Sequence, residues 1–108
     1  METSNLFNDT ATPEEGERFD TILNHKNLLI ERIISSAAIT PHEYIQAQDE
    51  WVLLMRGKAD LRVEGKLHAL KEGDHIFLPA GVPHKVERAS DGAMWLAIHL
   101  HPEQCEDR

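Results

Sequence analysis

The chain has 108 residues, and its 11 lysine and arginine residues against 19 aspartate and glutamate residues give a formal net charge of −8. This length corresponds to one domain, because domains commonly have about 100–150 residues. The acidic balance argues against nucleic acid, whose phosphates require a basic protein surface, and against an anionic membrane surface. We therefore expect a single soluble domain whose partner is a small molecule or another protein.

The cysteine content and the start of the chain indicate an ordinary cytoplasmic protein. The single cysteine, Cys105, cannot form an internal disulfide, and its acidic neighbours disfavour the thiolate that a nucleophile needs. Residues 1–10 have neither the basic start nor the apolar run of a signal peptide. No apolar stretch approaches the roughly 18 residues of a membrane span. We therefore expect a cytoplasmic location.

The residue composition divides the chain into an N-terminal arm, a β-rich domain and a short tail. Residues 1–18 are polar and acidic and predict a loosely docked arm, residues 19–101 form the domain, and residues 102–108 form the tail. Within the domain, short apolar runs alternate with turns that contain glycine. The predicted strands are Leu28–Ile34, Tyr44–Gln46, Trp51–Met55, Ala59–Val63, Lys66–Leu70, His75–Leu78, His84–Glu87 and Met94–Leu100. Strands this short, at intervals of about ten residues, predict an all-β sandwich or barrel.

Histidine is unusually frequent, with seven residues at positions 25, 42, 68, 75, 84, 99 and 101. His84 stands out because it ends a spaced pattern of turn-forming residues. Gly73 allows the positive φ of a tight turn, and the adjacent Asp74 carboxylate can accept backbone N–H groups. Pro79 and Gly81 end one strand and direct the next, so His84 comes early on a strand with a fixed orientation. We expect most of the other histidines to be ordinary surface or strand residues.

A second spaced pattern lies upstream, where Glu50 and Gly57 flank the apolar run Trp51–Met55. Together, the two patterns resemble the two sequence motifs of the cupin superfamily in its small single-domain form. The first motif is matched in its second half, by Glu50 and Gly57. The second motif is matched by Gly73, Pro79, Gly81 and His84, with Arg88 where asparagine is common. The resemblance covers roughly residues 28–100 and implies a jelly-roll β-barrel whose interior holds the functional site.

The resemblance also implies a candidate metal site inside the barrel. Cupins that bind metal supply two histidines and a glutamate from the first motif and a third histidine from the second. Aligned on Glu50, the two first-motif histidine positions are occupied here by Tyr44 and Gln46. An amide oxygen is a weak ligand, and a phenol must lose its proton to bind a metal well. The expected ligands of a divalent ion such as Zn, Mn, Fe or Ni are His84, Glu50, Gln46 and His99.

The contribution of His99 depends on which face of the last strand points inward. One face of Met94–Leu100 is fully apolar, and the other carries Trp95, Ala97 and His99. If the apolar face packs between the sheets, His99 lies outside the barrel. If the Ala97 face lines the interior, His99 can approach His84. The sequence leaves both arrangements open.

Three functional interpretations follow. In the first, the metal acts as a Lewis acid or an oxygen-activating centre, and Tyr44 donates a hydrogen bond to a small polar substrate. In the second, no metal is bound, and Glu50 and His84 form a general acid–base pair for isomerisation or decarboxylation. In the third, the barrel is a non-catalytic module that captures a small ligand. A purely structural role would instead pair Glu50 with Arg32 or Arg62 and would hydrogen-bond the histidine to a backbone carbonyl.

The expected macromolecular partner is a second copy of the chain. The long apolar strands Leu28–Ile34 and Met94–Leu100 would be hazardous as free sheet edges. Small cupins commonly form dimers by sheet pairing, so the resemblance implies a homodimer. Trp51 and Trp95 offer contact surface for such an interface, and packing in the core is the alternative role for both.

Overall fold

The computed structural model describes residues 1–102, and all of its regular elements are β-strands. The strands are β1 Glu17–His25, β2 Leu28–Ser35, β3 Asp49–Arg56, β4 Ala59–Val63, β5 Lys66–Leu70, β6 His75–Leu78, β7 His84–Ala89 and β8 Ala93–Leu100. Within this described part, no helix is long and apolar enough to cross a membrane. Apart from residue 102, the predicted tail, including Cys105, lies outside the described residues.

The eight strands form two antiparallel sheets, which confirms the all-β prediction. The larger sheet has five strands in the order β1-β2-β8-β3-β6, and the smaller has three in the order β5-β4-β7. The apolar core lies between the sheets, because it contains residues of both. Its buried members are Val52, Leu54, Ala59, Leu78, Ala93, Trp95 and Ala97.

The register of the larger sheet settles the orientation of β8. Trp95 pairs with Leu54 and Ala97 pairs with Val52, and all four side chains belong to the core. Because side chains alternate along a strand, His99 lies on the same inward face. The apolar face that carries Leu96 and Ile98 therefore points outward, away from the smaller sheet.

Most predicted strands coincide with observed strands to within two residues. There are two differences: one predicted strand is absent, and one observed strand was not predicted. Tyr44–Gln46 is not a strand: Tyr44 forms an isolated backbone bridge with His84, and its neighbours are irregular. β1, in contrast, was not predicted. It is an edge strand whose residues are mostly exposed, so it lacks the apolar alternation that predicts a strand. β1 begins at Glu17, inside the predicted arm of residues 1–18.

The N-terminal arm is fixed to the outer face of β2 by the buried side chain of Arg32. Its guanidinium donates hydrogen bonds to the backbone carbonyls of Leu6, Asn8 and Asp9 at 2.6–3.2 Å. It also pairs with the Asp20 carboxylate on β1, with 2.8 Å between Nη2 and Oδ2. One side chain therefore joins the arm, the edge strand and its neighbour.

We predict that Arg32→Ala lowers the free energy of unfolding by about 2–3 kcal/mol, because it removes several charge-assisted hydrogen bonds at a buried position. Arg62→Ala is the matched control: the Arg62 side chain, which pairs with Glu87, is 37% exposed. Exposed ion pairs contribute about 1 kcal/mol or less. Urea denaturation of the two variants measures the difference, and equal losses would contradict the anchoring role of Arg32.

Candidate functional site

A cavity of about 210 Å³ lies between the two sheets. Its wall is mostly apolar and includes Ile33, Val52, Leu61, Leu78, Val86 and Trp95. Seven polar or charged side chains also line it: Glu17, Glu31, Tyr44, Gln46, Glu50, His84 and His99. A concave, mostly apolar space with a few polar groups is typical of small-molecule sites. The volume equals that of about seven liquid water molecules, so the cavity suits a small ligand.

The Glu50 carboxylate lies between two imidazoles. Its Oε1 atom is 3.6 Å from His84 Nε2, and its Oε2 atom is 3.8 Å from His99 Nε2. The sheet register explains the second approach, because Glu50 on β3 is directly opposite His99 on β8. All three side chains are buried, with 7–8% exposure. Glu50 contacts neither Arg32, which pairs with Asp20, nor Arg62, which pairs with Glu87.

His99 has a closer partner than Glu50 on its other side. Its Nε2 atom lies 3.0 Å from Oε1 of Glu31 on β2, and its Nδ1 atom lies 3.2 Å from the Gln48 side-chain amide. The hydrogen bond with Glu31, together with the negative charges of Glu50 and Glu31, raises the pKa of His99, although burial acts in the opposite direction. His99 therefore lies between two carboxylates, donating its Nε2 proton to Glu31 and accepting at Nδ1 from the Gln48 amide nitrogen.

His84 is oriented by the turn that precedes it. Gly81 has a φ of +84°, a conformation that side-chain-bearing residues rarely adopt, and it brings the chain back into β7. The backbones of His84 and Tyr44 exchange two hydrogen bonds, at 2.8 and 3.0 Å. The Nδ1 atom of His84 lies 3.1 Å from the Val82 carbonyl oxygen, so it donates there and Nε2 faces Glu50.

Tyr44 and Gln46 occupy the positions of the two motif histidines, and Gln46 acts as a hydrogen-bond donor. The Tyr44 ring stacks beside His84 at the cavity mouth, with centroids 5.9 Å apart. Burial, together with the negative charges of Glu17 and Glu50, raises the pKa of Tyr44, so its phenol keeps its proton. Gln46 directs its Nε2 atom to Glu50 Oε1 at 2.8 Å.

The four expected metal ligands thus come together, but their arrangement does not suit an ion. In residues 1–102, no group of three or more histidine, cysteine, aspartate or glutamate side chains is placed to hold a metal. The donor chemistry explains why: His99 uses Nε2 to donate to Glu31 and Nδ1 to accept from Gln48, and Gln46 turns its NH₂ group rather than its oxygen toward Glu50. We therefore derive no step through a metal at this site.

The sequence interpretation missed two carboxylates that line the cavity. Glu31 reaches His99 from the adjacent strand, and Glu17 lies on β1 with its Oε2 atom 2.7 Å from Ser35 Oγ. The available signal for Glu31 was a pair of adjacent charges, Glu31 and Arg32, between the apolar segments Leu28–Ile30 and Ile33–Ile34. No comparable signal marked Glu17, since it lies in a polar segment.

The comparison with known families agrees with this fold. The family model of the cupin domain matches residues 31–100. The chain belongs to the cupin domain family. Among individual sequences, this cupin is 38% identical over 58 residues to an uncharacterised protein of Aquifex aeolicus, a match that covers 54% of this chain and 47% of that protein. An uncharacterised protein of Streptomyces coelicolor is 27% identical over 81 residues, which cover 75% of this chain and 77% of that protein. The chain thus spans about half the length of the Aquifex relative.

Solved structures give the same assignment over nearly the whole chain. A crystal structure described as a putative mannose-6-phosphate isomerase, from Ralstonia eutropha JMP134, is 33% identical. The match covers 94% of this chain and 100% of that chain, with a TM-score of 0.84. An RmlC-like cupin from Shewanella frigidimarina, at 17% identity, covers 96% and 97% of the two chains with a TM-score of 0.74 and supports the fold alone.

The Glu31 contact predicts how His99 titrates. In the native protein, the pKa of His99 should exceed the ordinary value of 6.5, and Glu31→Gln should lower it. Because the folded pKa is above the unfolded one, the stability that this group contributes is complete below about pH 6.5 and is lost as pH rises through the folded pKa. Histidine ring NMR signals followed against pH measure the shift, with the exposed His25 as the internal control. An unchanged His99 titration in Glu31→Gln would contradict the assignment.

Proposed function

We propose that this cupin binds a small polar molecule in the cavity without a metal ion, and that Glu50 and His84 catalyse its isomerisation by proton transfer. The observation that carries the proposal is the position of the Glu50 carboxylate, 3.6 Å from His84 Nε2 in a cavity with apolar walls. At this separation, the two groups are close enough to act on one substrate and too far apart to be consumed by a direct hydrogen bond.

The reaction that suits this pair is the movement of a proton next to a carbonyl group. Glu50 removes a proton from the carbon beside the carbonyl, and the released electron pair forms the carbon–carbon double bond of an enol. Protonated His84 donates its Nε2 proton to the carbonyl oxygen. When the carbon that lost its proton carries a hydroxyl group, neutral His84 then accepts that hydroxyl proton, a new carbonyl forms at this carbon, and the electron pair of the double bond takes up the proton from Glu50 at the former carbonyl carbon. Both groups end in their starting states, and no oxidant or cofactor is consumed.

The rest of the cavity supports this chemistry. The apolar part of the wall lowers the local dielectric constant, which strengthens the interactions of the buried charged groups with a bound substrate. The hydrogen bond from Gln46 fixes Glu50, and the Val82 carbonyl fixes His84. Tyr44, whose phenol stays protonated at the mouth, is placed to donate a hydrogen bond to the substrate. The similar Ralstonia protein is described as a putative isomerase, which supports the reaction class.

Hydrogen–deuterium exchange into small hydroxy-aldehydes and hydroxy-ketones tests the proposal. In D₂O, the wild-type protein should exchange the proton beside the carbonyl, and ¹H NMR follows the loss of that signal. Glu50→Gln and His84→Gln should each lower the exchange rate by at least about 100-fold. Glu14→Gln, which removes an exposed carboxylate from the arm, is the matched control and should keep the wild-type rate. Exchange that survives both site variants would contradict the proposal. A ligand that binds without exchanging would favour the non-catalytic module.

We also expect the homodimer, because the outward face of the larger sheet is apolar. On this face, Phe77 and Leu100 are 56% and 49% exposed, and Trp51 and Ile98 are partly exposed beside them. Exposed apolar surface of this kind is typical of an interface. A second copy of the same sheet would cover it symmetrically.

Light scattering coupled to size exclusion should give a mass twice that of the 12.3 kDa chain. Phe77→Asp should shift the protein to the monomer mass, because it places a charge within the apolar face. Leu67→Asp, at a similarly exposed position in the smaller sheet, is the control and should leave the dimer intact. A wild-type protein of monomer mass would contradict the dimer.

A further inference from the structure

The charged side chains around the cavity are mostly acidic. Three carboxylates line it, from Glu17, Glu31 and Glu50, and its lining within the described residues includes no lysine or arginine. The two arginines on neighbouring strands are used elsewhere: Arg32 holds the arm on the outer face, and Arg62 pairs with Glu87. The cavity therefore lacks the lysine and arginine side chains that bind a phosphate or a carboxylate in most proteins, and its two histidines, His84 and His99, already face Glu50.

Glu17 is a cavity carboxylate that has no role in the proposed reaction. Its Oε2 atom accepts a hydrogen bond from Ser35 Oγ at 2.7 Å, and Ser35 Oγ accepts one from Trp95 Nε1 at 3.1 Å. These two hydrogen bonds connect the Glu17 carboxylate on the edge strand to the buried Trp95 and hold the carboxylate in place. A carboxylate held in this way needs no reorganisation when it meets a ligand.

Aromatic rings lie in the same part of the cavity as Glu17. Phe19, two residues along β1 on the same face, lines the cavity, as does Tyr44. Glu17, Phe19 and Tyr44 also line a second cavity together, so the three side chains lie in one region of the surface. A carboxylate with aromatic rings nearby is an arrangement that attracts an organic cation, through ion pairing and through cation–π contact.

Resting on the proposed function of this cavity, we propose that its substrate carries an amino group in addition to the hydroxy-carbonyl unit on which Glu50 and His84 act, and that the ammonium group binds Glu17 beside Phe19 and Tyr44. The remainder of the molecule, about the size of one ring or a short chain, lies against the apolar wall. An engineered apolar cavity of about 150 Å³ holds benzene, so about 210 Å³ accommodates a ring with one substituent. Anionic ligands, phosphorylated sugars among them, are disfavoured by the three carboxylates.

A probe series that differs only in its head group tests this specificity: benzylamine, benzyl alcohol, benzoate and benzyl phosphate. Isothermal titration with the full-length protein at neutral pH and low salt measures the four affinities. Benzylamine, which is protonated at this pH, should bind at least about tenfold more tightly than the other three probes. Glu17→Gln should remove that preference and leave the affinity for benzyl alcohol unchanged. Glu14→Gln removes an equal charge outside the cavity and should change nothing.

The possible failures are distinguishable. If benzoate or benzyl phosphate binds as tightly as benzylamine, the amine inference is wrong while the cavity stands as a ligand site. If Glu17→Gln weakens benzyl alcohol as much as benzylamine, Glu17 has a structural role and the inference is also wrong. If none of the four probes binds up to about 10 mM, the cavity does not capture small molecules, and the proposed function fails with the inference.

Discussion

The interaction on which the site depends is the contact of His99 with two carboxylates. Charged groups are rarely buried unless they are paired, because removing a carboxylate from water is costly. Glu31 and Glu50 lie on the strands that flank β8 on either side, and His99 lies between them. The antiparallel register places Glu50 directly opposite His99 and Glu31 opposite Ala97, from which the Glu31 side chain reaches diagonally to His99. Throughout residues 1–102, every buried side-chain nitrogen and oxygen has a hydrogen-bond partner, so the acidic cluster is satisfied within the protein.

The site resembles those of metal-binding cupins, and the hydrogen bonds of its carboxylates explain how their charge is balanced without a metal ion. A bound divalent ion would supply the positive charge that compensates the carboxylates. Here, the two carboxylates raise the pKa of His99, Gln46 donates a hydrogen bond to Glu50, and the Tyr44 phenol keeps its proton. Glu50 and His84 keep their places facing each other across the cavity. The framework of the site is therefore retained, and the chemistry that we propose for it is proton transfer instead of metal ligation.

The spacing of turn-forming residues in the sequence predicted the strand ends and turns, because local backbone geometry determines them. Glycines at the turns marked the strand ends, and the residues around Gly73 and Gly81 indicated where His84 enters its strand. The inward face of β8 was not predictable, because both of its faces are largely apolar and only the pairing with β3 decides between them. Glu31 and Glu17 were missed for a related reason. They reach the cavity through sheet pairing with residues far away in sequence, and no local pattern records such a contact.

Elemental mass spectrometry tests whether the cavity binds a metal ion. The untagged protein is incubated with Zn, Mn, Fe or Ni, unbound ions are removed, and the metal content per chain is measured. The account predicts far less than one ion per chain, and the same trace amount in His84→Ala. Nearly one ion per wild-type chain, lost in His84→Ala, would contradict it. That result would mean that a metal displaces the proton of His99 and that the site binds metal as the family resemblance implied.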